Sequence, residues 1–469
     1  MRLQKFMSLL LSCIMLCLSF QANCLSIYAE ALSAAEPTTD SDGTQAWNKS
    51  LGTDAYPQFS GKAVSYISEH GEEVYSNTNI SCNNHSYVNG ICKTCGEYEV
   101  PTLENGAYQL SNYGELVWFQ QYVDADNTGA NAVLTADITA NKNLLKEDGS
   151  VSDVPVYKWT PIGRDLKLYY TGTFDGNGHI ISGLCCNDTR SYCGLFAKMK
   201  GTIKNLGIVD SYFGSEKCYH AASFAGYAVE GSVIENCFSD SSVVGSMYCG
   251  GIVGQTTGKI SNCYYIGKIT ANSTYSNAIS SDKYNYGALE NCYYLESCGL
   301  STTRAVGKTA EQFASGDVCY ILKSSENNLV WGQNLSSEGS MPVLTSDEEL
   351  RVYRVTTVKD DASSSYYSNS SCTLPADDTG YWIDENGKVL YSPAKITKDT
   401  TITFKQFVSV LGDVNQNGKV EKADAAAVLR HVSGISLISD EAELLLADVN
   451  RDGNVDVRDA VEIIKKAAA

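Results

Sequence analysis

The chain has 469 residues, room for about two to four domains. Its 54 Asp and Glu outnumber 35 Lys and Arg, and the net charge of −19 argues against nucleic acid or an anionic lipid face as a partner. Abundant Gly (39) and Tyr (30) with only 8 Pro indicate a folded chain of short strands that turn often, and the 17 Cys lack the dense, even spacing of a small disulfide scaffold.

Arg2 and Lys5 precede an apolar run from Phe6 to Phe20, and Ala29-Glu30-Ala31 offers a small-residue cleavage site. Residues 1–31 therefore read as a signal peptide, and the mature protein as exported. No later stretch reaches ~18 apolar residues, so no membrane span is expected after the signal is removed. Residues 32–75 read as a flexible leader that ends in a short apolar piece. The frame W-x-x-x-L at Trp47–Leu51 recurs at Trp331–Leu335, each with a Pro ten or eleven residues after the Trp. The first copy reads as a lone piece of a unit that the second closes, with chance similarity as the alternative.

Residues 76–100 hold Cys82-x-x-His85, the turn step Asn89-Gly90, and Cys92-x-x-Cys95. Two chelating pairs across a tight turn bring four N/S ligands within reach of one tetrahedral Zn²⁺. Disulfides are the alternative that export favours, although three Cys in one site cannot all pair internally. The run from His85 to Gly96 also resembles Cys/His knuckles of surface proteins from anaerobic Gram-positive bacteria, with the pattern H-x-Y-x-x-G-x-C-x-x-C-G. With every position filled by protein, such a site is a staple rather than a catalyst.

From 101 to 345 short β-branched and aromatic runs alternate with Gly and Asn. Gly194-Leu195-Phe196-Ala197, followed by Gly201-Thr202-Ile203-Lys204-Asn205-Leu206, recurs 57 residues on as Gly251-Ile252-Val253-Gly254 and Gly258-Lys259-Ile260-Ser261-Asn262-Cys263. A third copy, Ser223–Cys237, lies between with two residues inserted, and Ala288–Cys292 is a fourth half. The Asn at 205, 236, 262 and 291 step by 31, 26 and 29, which is one coil of a solenoid. Leu206, Cys237, Cys263 and Cys292 would point inward and stack, while the adjacent Asn bends the chain and bonds its neighbours in the stack. Gly172–His179 reads as a hairpin-like turn between coils, and Leu116-Val117-Trp118-Phe119 as part of a helix capping the open end. The runs "GGIVGQTTGKISNCYYIG" and "GTFDGNGHIISGL" resemble the GLUG motif and the opening coils of the same right-handed parallel β-helix proteins. That resemblance implies a fold seen in bacterial surface proteins and adhesins, and implies little about function.

Residues 346–409 form a small β spacer module, with strands expected at Val352–Val358, Tyr381–Ile383 and Thr400–Phe407 and a turn at Asp384–Gly387.

The strongest signal is at 411–469. Asp413, Asn415, Asn417, Lys419, Glu421 and Asp424 occupy positions 1, 3, 5, 7, 9 and 12 of a calcium loop, with Gly418 at position 6. Asp448, Asn450, Asp452, Asn454, Asp456 and Asp459 repeat the set 35 residues on, with Gly453 at position 6. A hard cation takes six to eight oxygens, and these positions supply side-chain oxygens, a carbonyl and a water bridge. Two Ca²⁺ are expected. Asp stands at position 12 where the helix-loop-helix hand has Glu, and no helical run precedes the first loop. The runs "GDVNQNGKVEKADAAAVLRHV" and "ADVNRDGNVDVRDAVEIIKKA" resemble type I dockerin modules, all-α domains with paired EF-hand-like loops. The resemblance implies calcium-dependent docking on a cohesin module of a scaffold, as in cellulosomes. It also implies that Lys422, Ala423, Leu429 and Arg430 in one half, and Val457, Arg458, Ile464 and Lys465 in the other, contact the cohesin. These halves differ at the key pair, which argues against dual docking.

The whole reads as a mainly β, exported component of a cellulosome-like assembly, attached to a scaffold or cell surface. Its β-helix is expected to bind glycan, plant cell-wall polysaccharide among them, or to adhere to another surface, with no catalytic residue. The alternative is a polysaccharide lyase or glycoside hydrolase with its site on the β-helix. The solenoid carboxylates are scattered, and the one suggestive pair, Asp175 and His179, lies in a Gly-rich turn.

Overall fold

The computed structural model describes residues 65–69, 72–76, 85–152, 157–164, 169–187, 192–281, 287–322 and 330–468. The signal peptide, the Trp47 copy of the repeated frame and Cys82 lie outside them. Two compact units make up the chain, Met1–Glu97 and Tyr98–Ala469. In the first, Ser65–Glu69 pairs antiparallel with Glu72–Ser76 at the end of the leader segment. A second, two-residue hairpin pairs Tyr87 with Cys92 and Val88 with Ile91 across Asn89-Gly90.

The second unit is dominated by a parallel β-solenoid of about four turns. Its coils are held in step by parallel pairing on four faces. Ile203 pairs with Phe174 before it and Ile234 after it, Ile234 with Ile260, and Ile260 with Leu289. Phe213, Val243 and Ile269 form a second inward column. Phe174, Ile203, Ile234, Ile260, Phe213 and Val243 are essentially inaccessible to solvent. Burying each such side chain stabilises the stack by roughly 1.5–3 kcal/mol, and like residues stack because each coil meets only its neighbours.

Asn makes the bend in each coil. Asn177, Asn205, Asn236, Asn262 and Asn291 all adopt φ between +50° and +53°, a region Asn enters more readily than other side chains. Their amides form rungs between coils: Asn236 Nδ2 donates to Asn205 Oδ1 (3.1 Å), and Asn291 Nδ2 to Asn262 Oδ1 (2.7 Å). Immediately after the bend, Leu206, Cys237, Cys263 and Cys292 turn inward and are buried, with all three thiols free. Each thiol donates to a carbonyl two residues back, at 3.1–3.3 Å. Burial pushes the Cys263 and Cys292 thiols well up. This is a packing ladder. Cys263→Val should cost on the order of 1 kcal/mol in denaturant unfolding, since volume is nearly kept, and these thiols should resist alkylation in the native protein. A loss several times larger, or rapid alkylation, would contradict it.

The insertion in the Ser223–Gly231 copy sits at a corner. Met199 pairs with Ala228 and Thr202 with Val233, so four residues bridge strands that two bridge in the next coil. The Gly172–His179 run is not a hairpin-like turn between coils. It is a bend inside one coil, because Thr173–Asp175 and Ile180–Ser182 both run parallel to the single strand Thr202–Val209.

Helix α1 (Tyr113–Asp124) is N-capped by Asn112, whose side chain accepts from Glu115 N. It buries Leu116, Phe119 and Val123 at the N-terminal end of the solenoid, with Phe119 against Phe174. At the other end the solenoid strands stop at Lys308, short of the expected 345. Helices α2 (Ala310–Ala314) and α3 (Asp317–Ile321) and the hairpin Val330–Gly332/Val343–Thr345, which holds the second copy of the repeated frame, follow the last solenoid strand. They cover an outward column in which Gly207, Phe238, Tyr264 and Tyr293 pair in step. Phe313, Val318, Trp331 and Leu344 pack on that column. Gly207 leaves room for it, since a Cβ there would lie 2.4 Å from Phe238.

The β module has a five-stranded sheet in which Tyr353–Lys359 runs parallel to Thr400–Gln406, with the remaining pairs antiparallel. Val355, Trp382, Ile402 and Phe404 fill its core. The three strands and the Asp384–Gly387 turn fall where the sequence placed them, within a residue or so. Among the described residues no helix is long and apolar enough to cross a membrane.

Candidate calcium-binding and docking site

Helices α4 (Lys422–Val432), α5 (Glu441–Ala447) and α6 (Val457–Ala468) form the C-terminal domain. Its core pairs equivalent residues of the two halves: Ala425 with Ala460, and Val428 with Ile463. Each metal loop leads directly into α4 or α6, so the loop carboxylates sit at helix N-termini, where the helix dipole favours negative charge.

Position 1 organises each loop. Asp413 is fully buried, and its carboxylate accepts from Asn417 N (3.0 Å) and Gly418 N (2.7 Å). Asp448 repeats this with Asp452 N (3.2 Å) and Gly453 N (3.0 Å). Position 12 closes the loop on itself. Asp424 accepts from Asn415 N (3.1 Å) and Glu421 N (2.8 Å), and Asp459 from Asn450 N (3.1 Å) and Asp456 N (2.8 Å). The shorter Asp thus spans the loop and serves as the third helical residue. At position 5, Asn417 Oδ1 accepts from Lys419 N, and Asp452 Oδ1 from Asn454 N, both at 3.0 Å.

Both loops carry an oxygen-bearing side chain at positions 1, 3, 5, 9 and 12, and neither contains Cys or His. This is the donor set of a hard cation, and it fits calcium. Burial pushes the Asp448 carboxyl up to about 6, and the neighbouring charges of Asp459 and Asp452 conflict with it further, with the Gly453 amide opposing. A dication between them would relieve that conflict. The second loop carries the extra acid, Asp452 in place of Asn417, and Arg458 lies on it, 2.6 Å from Asp452 and 2.7 Å from Asp456. Sequence reading missed Ser409, whose hydroxyl donates to Asp413; it precedes the loop and belongs to no motif.

All eight residues assigned to the cohesin contact are exposed. Leu429, Val457 and Ile464 are 42%, 53% and 45% accessible, large apolar side chains left on the outside of α4 and α6.

In the N-terminal unit, His85, Cys92 and Cys95 place one ligand atom each within 4.8 Å of one another. Cys95 Sγ lies 3.3 Å from His85 Nδ1, and Glu97 sits 3.4 Å from His85 Nε2. Burial raises the Cys92 thiol, but the amides of Cys95 and Thr94 and the His85 ring pull it further down, to about 5.

The solenoid carboxylates hold coils together. Asp175 accepts from Asn177 N and Asn205 Nδ2, while His179 pairs with Asp137 at 3.1 Å and not with Asp175. Asp210 accepts from the amides of Leu144 and Leu145, and Asp240 from the amide of Asp210.

A protein-family model, the dockerin type I domain, matches residues 411–466. No match is found among the curated proteins. Among solved structures, a crystal structure from Bacteroides ovatus described as a candidate immunoglobulin A1 protease aligns at 19% identity. It covers 52% of this chain and 93% of that one, with a TM-score of 0.34, a likeness too slight to carry an argument. Paired oxygen loops, an exposed two-helix face and the family match converge: residues 411–466 are a dockerin type I domain, carried on a chain whose larger body is a parallel β-solenoid.

Proposed function

We propose that this protein is an exported component of a cellulosome-type assembly, fastened by calcium-dependent binding of its dockerin to a cohesin, with a solenoid that binds glycan and does no chemistry. The single observation that carries the reading is the twofold-repeated loop geometry beneath an exposed helical face. Asp413, Asn415, Asn417, Glu421 and Asp424 hold one Ca²⁺ with the Lys419 carbonyl. Asp448, Asn450, Asp452, Asp456 and Asp459 hold the other with the Asn454 carbonyl. The solenoid reading is supported by Asp175, Asp210 and Asp240, whose carboxylates are committed to structural hydrogen bonds. It is also supported by exposed tyrosines: Tyr219 and Tyr275 lie on the solenoid surface against Tyr248, which with His220 is buried in a stack that ends at half-buried Tyr192. Screened against plant cell-wall polysaccharides, the protein should bind without releasing reducing ends. Release would establish the hydrolase or lyase instead.

Docking takes one dominant orientation. Lys422-Ala423 and Val457-Arg458 differ in charge and bulk, and interface energy concentrates in few contacts. Charge reversal at Lys422 and at Arg458, made separately, should cost cohesin affinity unequally; equal losses would indicate two modes.

Cys82, His85, Cys92 and Cys95 bind one structural zinc. Elemental analysis of the reduced protein should find about one zinc per chain, lost in Cys92→Ser. A disulfide joining Cys92 or Cys95 to a solenoid cysteine would rule this out.

A further inference from the structure

The two calcium loops are alike in internal bonding but unlike in their surroundings. At positions 4 and 6 of the first loop, Gln416 is exposed, and a Cβ built at Gly418 meets no atom within 4 Å. The same positions of the second loop, Arg451 and Gly453, rest on the β module. Arg451 Nη1 donates to the Asp377 carbonyl at 2.7 Å, and its Nη2 lies 3.5 Å from Asp378. Its guanidinium sits 5.7 Å from the centre of the Phe407 ring. A Cβ on Gly453 would stand 3.2 Å from the Tyr391 ring, so the loop backbone lies directly against that ring.

The contact falls where the loop is most demanding. Arg451 has φ +59° and Gly453 φ +86°, and between them they form the turn that presents the Asp452 and Gly453 amides to Asp448. A non-glycine residue held at positive φ costs energy unless its surroundings fix it. Gln416 has the same conformation, φ +57°, and is exposed to solvent. A loop fixed in its binding conformation pays less ordering entropy when the cation enters.

We propose that the small β module is a brace for the second calcium loop, with Tyr391, Phe407 and the Asp377 carbonyl positioning residues 451–453, so that the calcium affinity of this site depends on a neighbouring domain. The brace makes the two halves of the dockerin unequal and joins the β module and dockerin into one docking unit. It rests on the reading that both loops hold calcium. By linkage, calcium in the second loop must tighten the junction by the same factor that the junction tightens calcium.

The test is calorimetric titration of the full chain with calcium. Tyr391→Ala changes no charge and removes a ring that is 36% exposed and outside the module core. It should weaken one of two sites about five- to twentyfold and leave the other within about twofold of the parent. Tyr391→Phe should restore the parent value. In an Asp448→Asn background, which disables the second loop, Tyr391→Ala should have no further effect. Arg451→Gln installs the first loop's residue; it removes the brace but also a positive charge that repels the cation, so its loss should be smaller. As a second readout, calcium should slow amide hydrogen exchange at 388–391 in the parent and much less in Arg451→Gln. Two sites of unchanged affinity in Tyr391→Ala, with exchange indifferent to calcium, would overturn the brace alone. A full chain that takes up no calcium would overturn the calcium reading and the brace with it.

Discussion

In the double variant Asp413→Ala, Asp448→Ala we expect no measurable binding to a type I cohesin and loss of most of the helical signal in far-ultraviolet circular dichroism, with the β signal kept. Each of these carboxylates is buried and accepts two backbone N–H groups. Removing one leaves two amides without an acceptor, and hydrogen bonds to a charged group contribute roughly 1.5–3 kcal/mol each. The same substitution removes the position 1 ligand, so the cation no longer stabilises the folded loop, and for a small metal-binding domain that binding energy is folding energy. Domains of this size have little core to offset the loss. Among the described residues, the core cluster of the C-terminal domain contains no solenoid residue, and the solenoid should unfold in denaturant as the parent does. Retained helicity with retained docking would contradict the assignment of both residues.

Tyr264→Ala should be the most damaging single change in the solenoid, at about 3–5 kcal/mol in denaturant unfolding. Tyr264 is fully buried, stacks on Phe238 at 5.3 Å, and packs against Phe313 and Trp331. Its hydroxyl donates to the Pro342 carbonyl. The change opens a cavity between the coils and the covering segment, and leaves that carbonyl without its donor. Tyr264→Phe isolates the hydrogen bond and should cost about 1 kcal/mol. Limited proteolysis should then cut within 310–352 in Tyr264→Ala and not in the parent. A loss below about 1 kcal/mol in Tyr264→Ala would show that the covering segment contributes little to the fold.

Much of this architecture was legible because it repeats. The Asn at 205, 236, 262 and 291 disclosed the coil length, since a bend at φ near +50° must recur once per coil and few side chains accept it. The inward Cys followed from the same register. The calcium loops were legible for a different reason: a cation demands oxygens at fixed positions, and that demand leaves its spacing in the chain. What was not legible depends on contacts between non-repeating parts. Trp331 resembles a repeat residue, but its partners are Phe238 and Tyr264 of coils far earlier in the chain, and no local pattern announces them. The Gly172–His179 run has the composition of a hairpin, yet its flanking strands pair in parallel with one neighbour, a choice set by the stack. Arg451 differs from Gln416 by one surface residue, and only the fold places it against Phe407. Asp175 and His179 are four residues apart and bond to different coils, which separates them as a pair.

The most direct test of the central claim is binding of the full chain to an immobilised type I cohesin module, measured in calcium, in chelator, and again after calcium is restored. Binding should be tight in calcium, lost in chelator, and fully recovered on return. Binding that persists unchanged in chelator, or none to any type I cohesin in calcium, would contradict that claim.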